Sequence, residues 1–362
     1  MNTLREDLQD LADHAPYVDL ADVAIRGARR RNRVVRLSLA AAAVVVVGIA
    51  GGSVIRLQQE VRPTPPVVLT PPETKALPLP GKGVAPVEQA YRPFCRGGCK
   101  ESGWRIVTRR GETFQMPEGP GPVEATADGR RIAYYSAKDR AIMVRDLASG
   151  QIWKAPLKQP KQDFAVEYTL RMSPNGLRFI VSGWGGRRAP NMLVDLEKGE
   201  VEQLDSGWWP VSVADGDGPV VLAKASDKTT QVWVRGHKPV MVPTFTYDFS
   251  ALNPDGRRLV RVGQWLGRGE PRVQRDGTIV TFDAITGGMQ ARVPVTGLPG
   301  NMLPAKLGGW LTADEVTLIA VAESPGSGAS AVAYAVNVLS GQARKLFPLH
   351  AEGQYAVPGM VH

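Results

Sequence analysis

The chain has 362 residues, of which 39 are glycine and 29 proline, and a formal net charge of +9. That much glycine and proline favours many turns and short strands, and the length suits one large β domain with appended segments. Six acids stand against Arg5 in residues 1–22, six arginines fill residues 23–36, and only a dilute surplus of mixed sign follows residue 56. A positive excess spread so thinly is a poor match to a phosphate backbone, so nucleic acid is not expected as a partner.

Residues 1–33 read as a short polar tail. Leu4, Leu8 and Leu11 fall on one helical stripe behind Thr3, a residue type that caps helices, and Pro16 interrupts the pattern. Residues 37–55 follow with no charged side chain, and Val34 and Val35 extend them to a predicted transmembrane helix over 34–55. A bilayer core of about 30 Å takes about 20 apolar residues in a helix, so the stretch is long enough. The arginines crowd its N-terminal side, which places the N-terminus in the cytoplasm and everything after residue 55 outside. Over thirty residues precede the apolar core, too many for an ordinary cleaved leader, although the small residues at 50–53 leave a cleavage site open. The expectation is an uncleaved signal anchor in the cell membrane. The tail resembles those of membrane-anchored regulators from high-GC bacteria, but without the His and Cys pattern of the zinc-binding ones.

Eight prolines lie between Arg62 and Pro86, and residues 56–90 are expected to form an extended, semi-rigid linker. The two cysteines, Cys95 and Cys99, flank Arg-Gly-Gly; outside the cell this spacing suits a small disulfide loop. A metal site is not expected, because His237, His350 and His362 are scattered singly.

From residue 91 to 362 the chain repeats. The segments 125–136, 172–184, 213–225, 252–265 and 311–322 each carry an Asp or Asn turn followed by a β-patterned run. Their markers are Asp128, Asn175, Asp215, Asp255 and Asp314, at intervals of 40 to 59 residues. After each comes a second hairpin with glycine at its turn, at 144–153, 193–204, 232–242, 280–293 and 334–346; an earlier hairpin at 104–116 has no marker before it. Asp/Asn-Gly supplies the left-handed backbone that tight turns need, and apolar residues flank each turn. Repeats of this length, with four short strands each, match the blades of a β-propeller. Ser173-Pro174-Asn175-Gly176 and Asn253-Pro254-Asp255-Gly256, each followed by a basic residue and an apolar run, resemble the WD40-like repeat of TolB-type propellers. The other copies depart from it, since Ala127-Asp128-Gly129 lacks the proline and Asp314 lacks the glycine.

Six hairpins against five markers imply six blades, with residues 354–360 completing the blade begun near Trp104. Five or seven blades also fit, and a β-sandwich is the structural alternative. Closure would remove exposed sheet edges.

Catalytic motifs are sparse. There is no G-x-S-x-G elbow, no H-E-x-x-H and no P-loop, and the Asp-x-x-Ser/Thr-Gly turns at Asp146 and Asp283 resemble quinone-cofactor propellers no more than ordinary hairpins. No cofactor is expected. Two repeats carry enlarged loops rich in Trp and Arg, with Trp184, Arg187 and Arg188 in one and Trp265, Arg268 and Arg272 in the other. Equivalent loops of a propeller emerge on one face, so these residues are candidates to bind a cell-envelope protein or an anionic polymer. The plainer reading packs the tryptophans between blades and leaves the arginines solvated. The remaining tryptophans, including Trp208 and Trp209, read as blade core or rim. The expected function is a non-catalytic, membrane-tethered interaction or sensing module; an extracytoplasmic hydrolase or lyase on the same scaffold is the alternative.

Overall fold

The computed structural model describes residues 76–93, 103–116, 121–157, 168–183, 189–226, 228–266, 273–322, 331–350 and 353–360. The predicted tail and the apolar segment 34–55 lie outside these residues, as do Cys95 and Cys99. Among the described residues no helix is long and apolar enough to cross a membrane.

The described chain is all β and forms a six-blade propeller. Strands β1 (Leu77–Pro78), β2 (Val87–Pro93), β3 (Arg105–Thr108) and β4 (Thr113–Gln115) begin blade 1. Blade 2 is β5 (Glu124–Ala125), β6 (Arg131–Ser136), β7 (Ala141–Asp146) and β8 (Ile152–Lys154). Blade 3 is β9 (Thr169–Met172), β10 (Arg178–Ser182), β11 (Met192–Asp195) and β12 (Glu200–Gln203). Blade 4 is β13 (Trp209–Val213), β14 (Val220–Ala225), β15 (Thr230–Val234) and β16 (Val240–Val242). Blade 5 has β17 (Arg258–Leu266), β18 (Val273–Asp283) and β19 (Met289–Pro294), and its inner position is held by the bridge between Phe249 and Arg261. Blade 6 is β20 (Met302–Trp310), β21 (Glu315–Ala322), β22 (Ala331–Asn337) and β23 (Ala343–Pro348). The last strand, β24 (Gly353–Ala356), pairs antiparallel with β2, so the end of the chain supplies the inner strand of blade 1. That closure explains why the hairpin at 104–116 has no marker before it: its inner strand comes from the other end of the sequence.

Apolar burial follows the blade interfaces. One cluster joins Ile106 and Phe114 of blade 1 to Ile132 of blade 2, and others join Ile142 to Phe179, Ile180 to Leu222, and Val221 to Phe249 and Leu259. Two more complete the ring, joining Val260 to Leu318 and Ile319 to Val357. Because both faces of the middle strands are covered, their runs are nearly continuous in apolar residues, as in Arg131–Ser136, where five of six positions are buried.

One boundary differs from the sequence expectation. Residues 77–90 were expected in the linker, yet β1 and β2 belong to blade 1, with Val87 fully buried and Ala90 nearly so. The prolines are compatible with this because they sit where the sheet asks for acceptors. Pro86 accepts from the Arg109 amide at 2.9 Å, Pro80 from the Arg145 guanidinium, and Pro78 lies at the outer edge.

Candidate functional site

Each inner strand runs between two ends of a central channel, and the two ends are made of different chemistry. At one end lie the marker turns. The carboxamide oxygen of Asn175 accepts from the Leu177 amide at 2.8 Å and the Ser173 hydroxyl at 2.9 Å, while Asp255 Oδ1 accepts from the amides of Arg257 and Arg258. Such side chains satisfy the backbone of their own turn. The arginine that follows three of the five markers, Asp128, Asn175 and Asp255, reaches across to the next blade. Arg131 donates to the Asn175 carbonyl, Arg178 to the Ala214 and Gly218 carbonyls, and Arg258 to Asp314 Oδ1 and the Ala313 carbonyl, both at 3.2 Å. The Asn175 amide donates to Asp215 Oδ1 at 2.9 Å, again from one blade to the next. The repeated Asp/Asn and Arg residues therefore lock neighbouring blades. The hairpin turns at Asp146 and Asp283 are equally local: each carboxylate accepts two backbone amides of its own turn.

Above this ring the channel holds a buried pair. Glu124 on β5 and Arg171 on β9 are 3 % exposed each, with Oε1 and Nη1 3.8 Å apart. Arg171 Nη1 also donates to the Leu170 carbonyl at 2.8 Å and, more distantly, to the Met360 carbonyl at 3.5 Å. At 3.8 Å the arginine makes no hydrogen bond to the carboxylate, so little compensates Glu124 for lost water. Burial pushes its carboxyl up to about 8, against the pull of Arg171. Burial lowers Arg171, and Glu124 opposes that shift. Both sit beside a cavity of about 410 Å³ that opens on the marker-turn end.

The opposite end is aromatic. A cavity of about 730 Å³ is walled by Trp104, Tyr168, Trp208, Trp209, Tyr247 and Tyr355, drawn from blades 1, 3, 4 and 5. Trp208 and Trp209 precede and open β13, so the chain delivers both rings at the entrance of one inner strand. Trp208 packs on Trp233 at 5.3 Å, and its carbonyl accepts from Asn191 Nδ2 at 2.7 Å. Trp209 packs on Tyr247 at 5.9 Å, and Tyr247 meets Phe245 edge-on. Trp208 and Trp209 are half-buried and Tyr247 is 41 % exposed, so these rings face the cavity. The indole Nε1 of Trp209 and the hydroxyl of Thr169 are buried without a hydrogen-bond partner among the described residues, and both residues line this cavity.

Charge enters this mouth from the far wall. Lys306, on β20, lines the same cavity. Burial pushes its ammonium down; Asp248 opposes the shift, and Arg171 and Arg275 add to it. Burial raises Asp248, against the pull of Arg275 and Lys306 and a 2.9 Å hydrogen bond from Gln264 Nε2. Burial also raises the Tyr355 hydroxyl. Among the described residues no group of His, Cys, Asp and Glu is arranged to hold a metal ion.

Of the residues singled out in sequence, Trp184, Arg187, Arg188, Arg268 and Arg272 lie outside the described residues. Trp265 lies in β17, with its side chain outside them. Ser182, just before the first enlarged loop, and Gly183 and Ala189 within it line the aromatic cavity. Trp208, Trp209, Tyr247 and Lys306 were not singled out. The adjacent tryptophans just ahead of a β run were the available signal, since two neighbours in a strand point to opposite faces and cannot both fill one core.

No protein-family model matches the chain, and no curated protein matches it. Among solved structures it is similar to TolB from Acinetobacter baumannii, with 16% identity over 75% of this chain and 66% of that one and a TM-score of 0.47. It is also similar to an oligogalacturonate lyase from Vibrio parahaemolyticus, with 14% identity over 70% of this chain and 75% of that one and a TM-score of 0.42. An acylaminoacyl peptidase from Pyrococcus horikoshii has 14% identity over 71% of this chain and 46% of that one, with a TM-score of 0.42. The alignment to TolB spans just under two thirds of that protein. At these identities the likeness concerns the fold.

Proposed function

We propose that this chain is a non-catalytic interaction or sensing module, held at the membrane by residues 34–55, with its propeller outside the cell. The observation that carries the reading is the aromatic mouth. Trp208, Trp209 and Tyr247 stand half-open around a cavity of about 730 Å³. Keeping such rings at a wet cavity forgoes burial worth about 25 cal/mol per Å², and apolar rings with a polar edge are the groups on which binding energy concentrates. The volume is that of a small-ligand or side-chain site, roughly 300–1,000 Å³. The uncharged segment behind six arginines supports the tether.

The test is capture from cell-envelope extract by the purified full chain in detergent, with Trp209→Ala alongside. Wild type should retrieve a specific partner and the variant should lose most of it. Equal capture by both proteins would sink the role of the mouth. A soluble fragment for the same purpose must keep residues 76–90, because they carry much of β2.

A second reading has one observation in its favour. Glu124, raised to about 8 inside the channel, has the protonation state a general acid needs at neutral pH. A hydrolase or lyase working there would lose turnover of envelope polysaccharide in Glu124→Gln while keeping its fold.

A further inference from the structure

Among the described residues that line the aromatic cavity, Lys306 is the one charged side chain; the others are aromatic, aliphatic, glycine or neutral polar. A bulge in β20 brings it there. Between the paired positions Pro304–Ala320 and Lys306–Ile319 stands an extra residue, Ala305. A bulge of this kind resets the alternation of side chains along a strand and re-aims the residue after it.

The lysine is also uncommitted. It makes no hydrogen bond or ion pair among the described residues; Asp248 acts on it only through space and accepts instead from Gln264 Nε2 at 2.9 Å. The Trp209 indole nitrogen is sealed from the cavity, whereas the Lys306 nitrogen is not among the sealed polar atoms, so a ligand can reach it. An ammonium half-buried against rings and small side chains loses hydration without gaining a partner, which favours the free amine. Burial accordingly pushes Lys306 down, against the pull of Asp248. A lysine amine in an apolar pocket is a nucleophile toward carbonyl carbon. The rest of the cavity suits an aromatic body. Trp209 and Tyr247, tilted 59° to each other, form a corner that an aryl group can enter with edge-to-face contacts.

We infer that Lys306 is a carbonyl-binding amine: an aromatic aldehyde or ketone lodges in the cavity lined by Trp209 and Tyr247 and forms a reversible imine with Nζ. The Nζ lone pair attacks the carbonyl carbon, and the C=O electron pair moves to oxygen. Both amine protons then leave with that oxygen as water, and a C=N bond replaces the C–O bond. Aldehyde and amine give imine and water, with no change in oxidation state and no co-reactant. The inference goes beyond the role proposed above, because it uses the same cavity but needs no partner protein.

The experiment treats the full chain in detergent with naphthaldehyde and cyanoborohydride, which reduces the imine to a stable secondary amine, and maps the label by peptide mass spectrometry. At neutral pH Lys306 should be labelled at least about tenfold faster than the exposed Lys138 and Lys224. Lys306→Arg should abolish that label and leave the other lysines unchanged, and Trp209→Ala should slow labelling of Lys306 alone. Naphthylmethanol, which fills the cavity but cannot condense, should protect Lys306 saturably, and naphthoate should protect it no better. Unfolding curves establish that each variant is folded, and protection by the alcohol keeps the test decisive where Trp209→Ala is not. Labelling of Lys306 no faster than of Lys138 overturns the inference. Protection by naphthoate alone, without an aldehyde adduct, overturns it too and marks an anion site instead. If either happens while envelope capture still depends on Trp209, the interaction-module reading stands and only the imine site falls. If Lys306 is labelled selectively but capture is indifferent to Trp209, the imine site stands and the partner reading falls.

Discussion

The two ends of the channel show how one fold divides its residues between architecture and recognition. At the marker-turn end the recurring groups, the Asp or Asn of each turn and the Arg behind three of them, are consumed by their own turns and by the next blade. At the aromatic end the rings come from four blades at positions that do not repeat between copies, and three of them stand partly exposed around the cavity. In this propeller the repeated residues hold the ring together. What it offers to a ligand lies where the copies differ.

Substitutions at the marker-turn end should therefore move stability and spare binding. The largest effect is expected for Gly359→Ala. Gly359 has φ of +67°, and a Cβ there would sit 3.0 Å from the Gly309 Cα and 3.1 Å from the Ala127 Cβ, at the point where the chain end closes the ring. Strained backbone and a close contact with main chain together should cost about 2–4 kcal/mol in urea unfolding. Envelope capture measured below the transition should be unchanged; a loss of capture there would blur the division between the ends.

Glu124→Gln probes the region between the two ends. The folded carboxyl titrates near 8 and the unfolded one near 4.5, so wild type holds its proton only when folded across that window. Stability should fall as pH rises from about 4.5 to about 8, by up to about 1.4 kcal/mol per unit. Glutamine cannot ionise, so the difference between variant and wild type should grow in the variant's favour toward pH 8. A variant that is less stable at every pH would instead show that Glu124 and Arg171 act as a full ion pair.

Arg258→Ala removes the contacts to Asp255 and Asp314 and the 5.7 Å stacking over Trp310. Its acidic partners are 36% and 45% exposed, so water screens them, and the loss should be about 1 kcal/mol. Lys198→Ala breaks the contact to Asp217, which is open to solvent, and the melting temperature should not change measurably. A large drop there would mean that surface pairs, and not the buried ring, hold blades 3 and 4 together.

Legibility in the sequence followed the range of each interaction. The six blades, their closure by the chain end and the glycines of the outer hairpins were readable, because a turn is decided by four neighbouring residues. The start of blade 1 was misplaced at residue 91, since Pro78, Pro80 and Pro86 describe extended chain equally well in a linker and along a sheet edge. The enlarged loops drew attention to Trp184 and Arg187 through composition. Trp209 and Lys306 gave no comparable signal: a tryptophan in a β run is usually core, and one lysine in a strand is unremarkable.

Read alone, the residues point to a propeller over a β-sandwich, because turn chemistry and apolar runs repeat at the period of a blade. Only the closed ring decides which side chains meet in the channel. Trp104, Tyr168, Trp209, Tyr247, Lys306 and Tyr355 are spread over most of the domain and share a cavity only because the closed ring brings five blades together around it. Strand periodicity says which face of a blade a residue occupies. It says nothing of how far along the channel that residue sits, which depends on the register and closure of all six blades together.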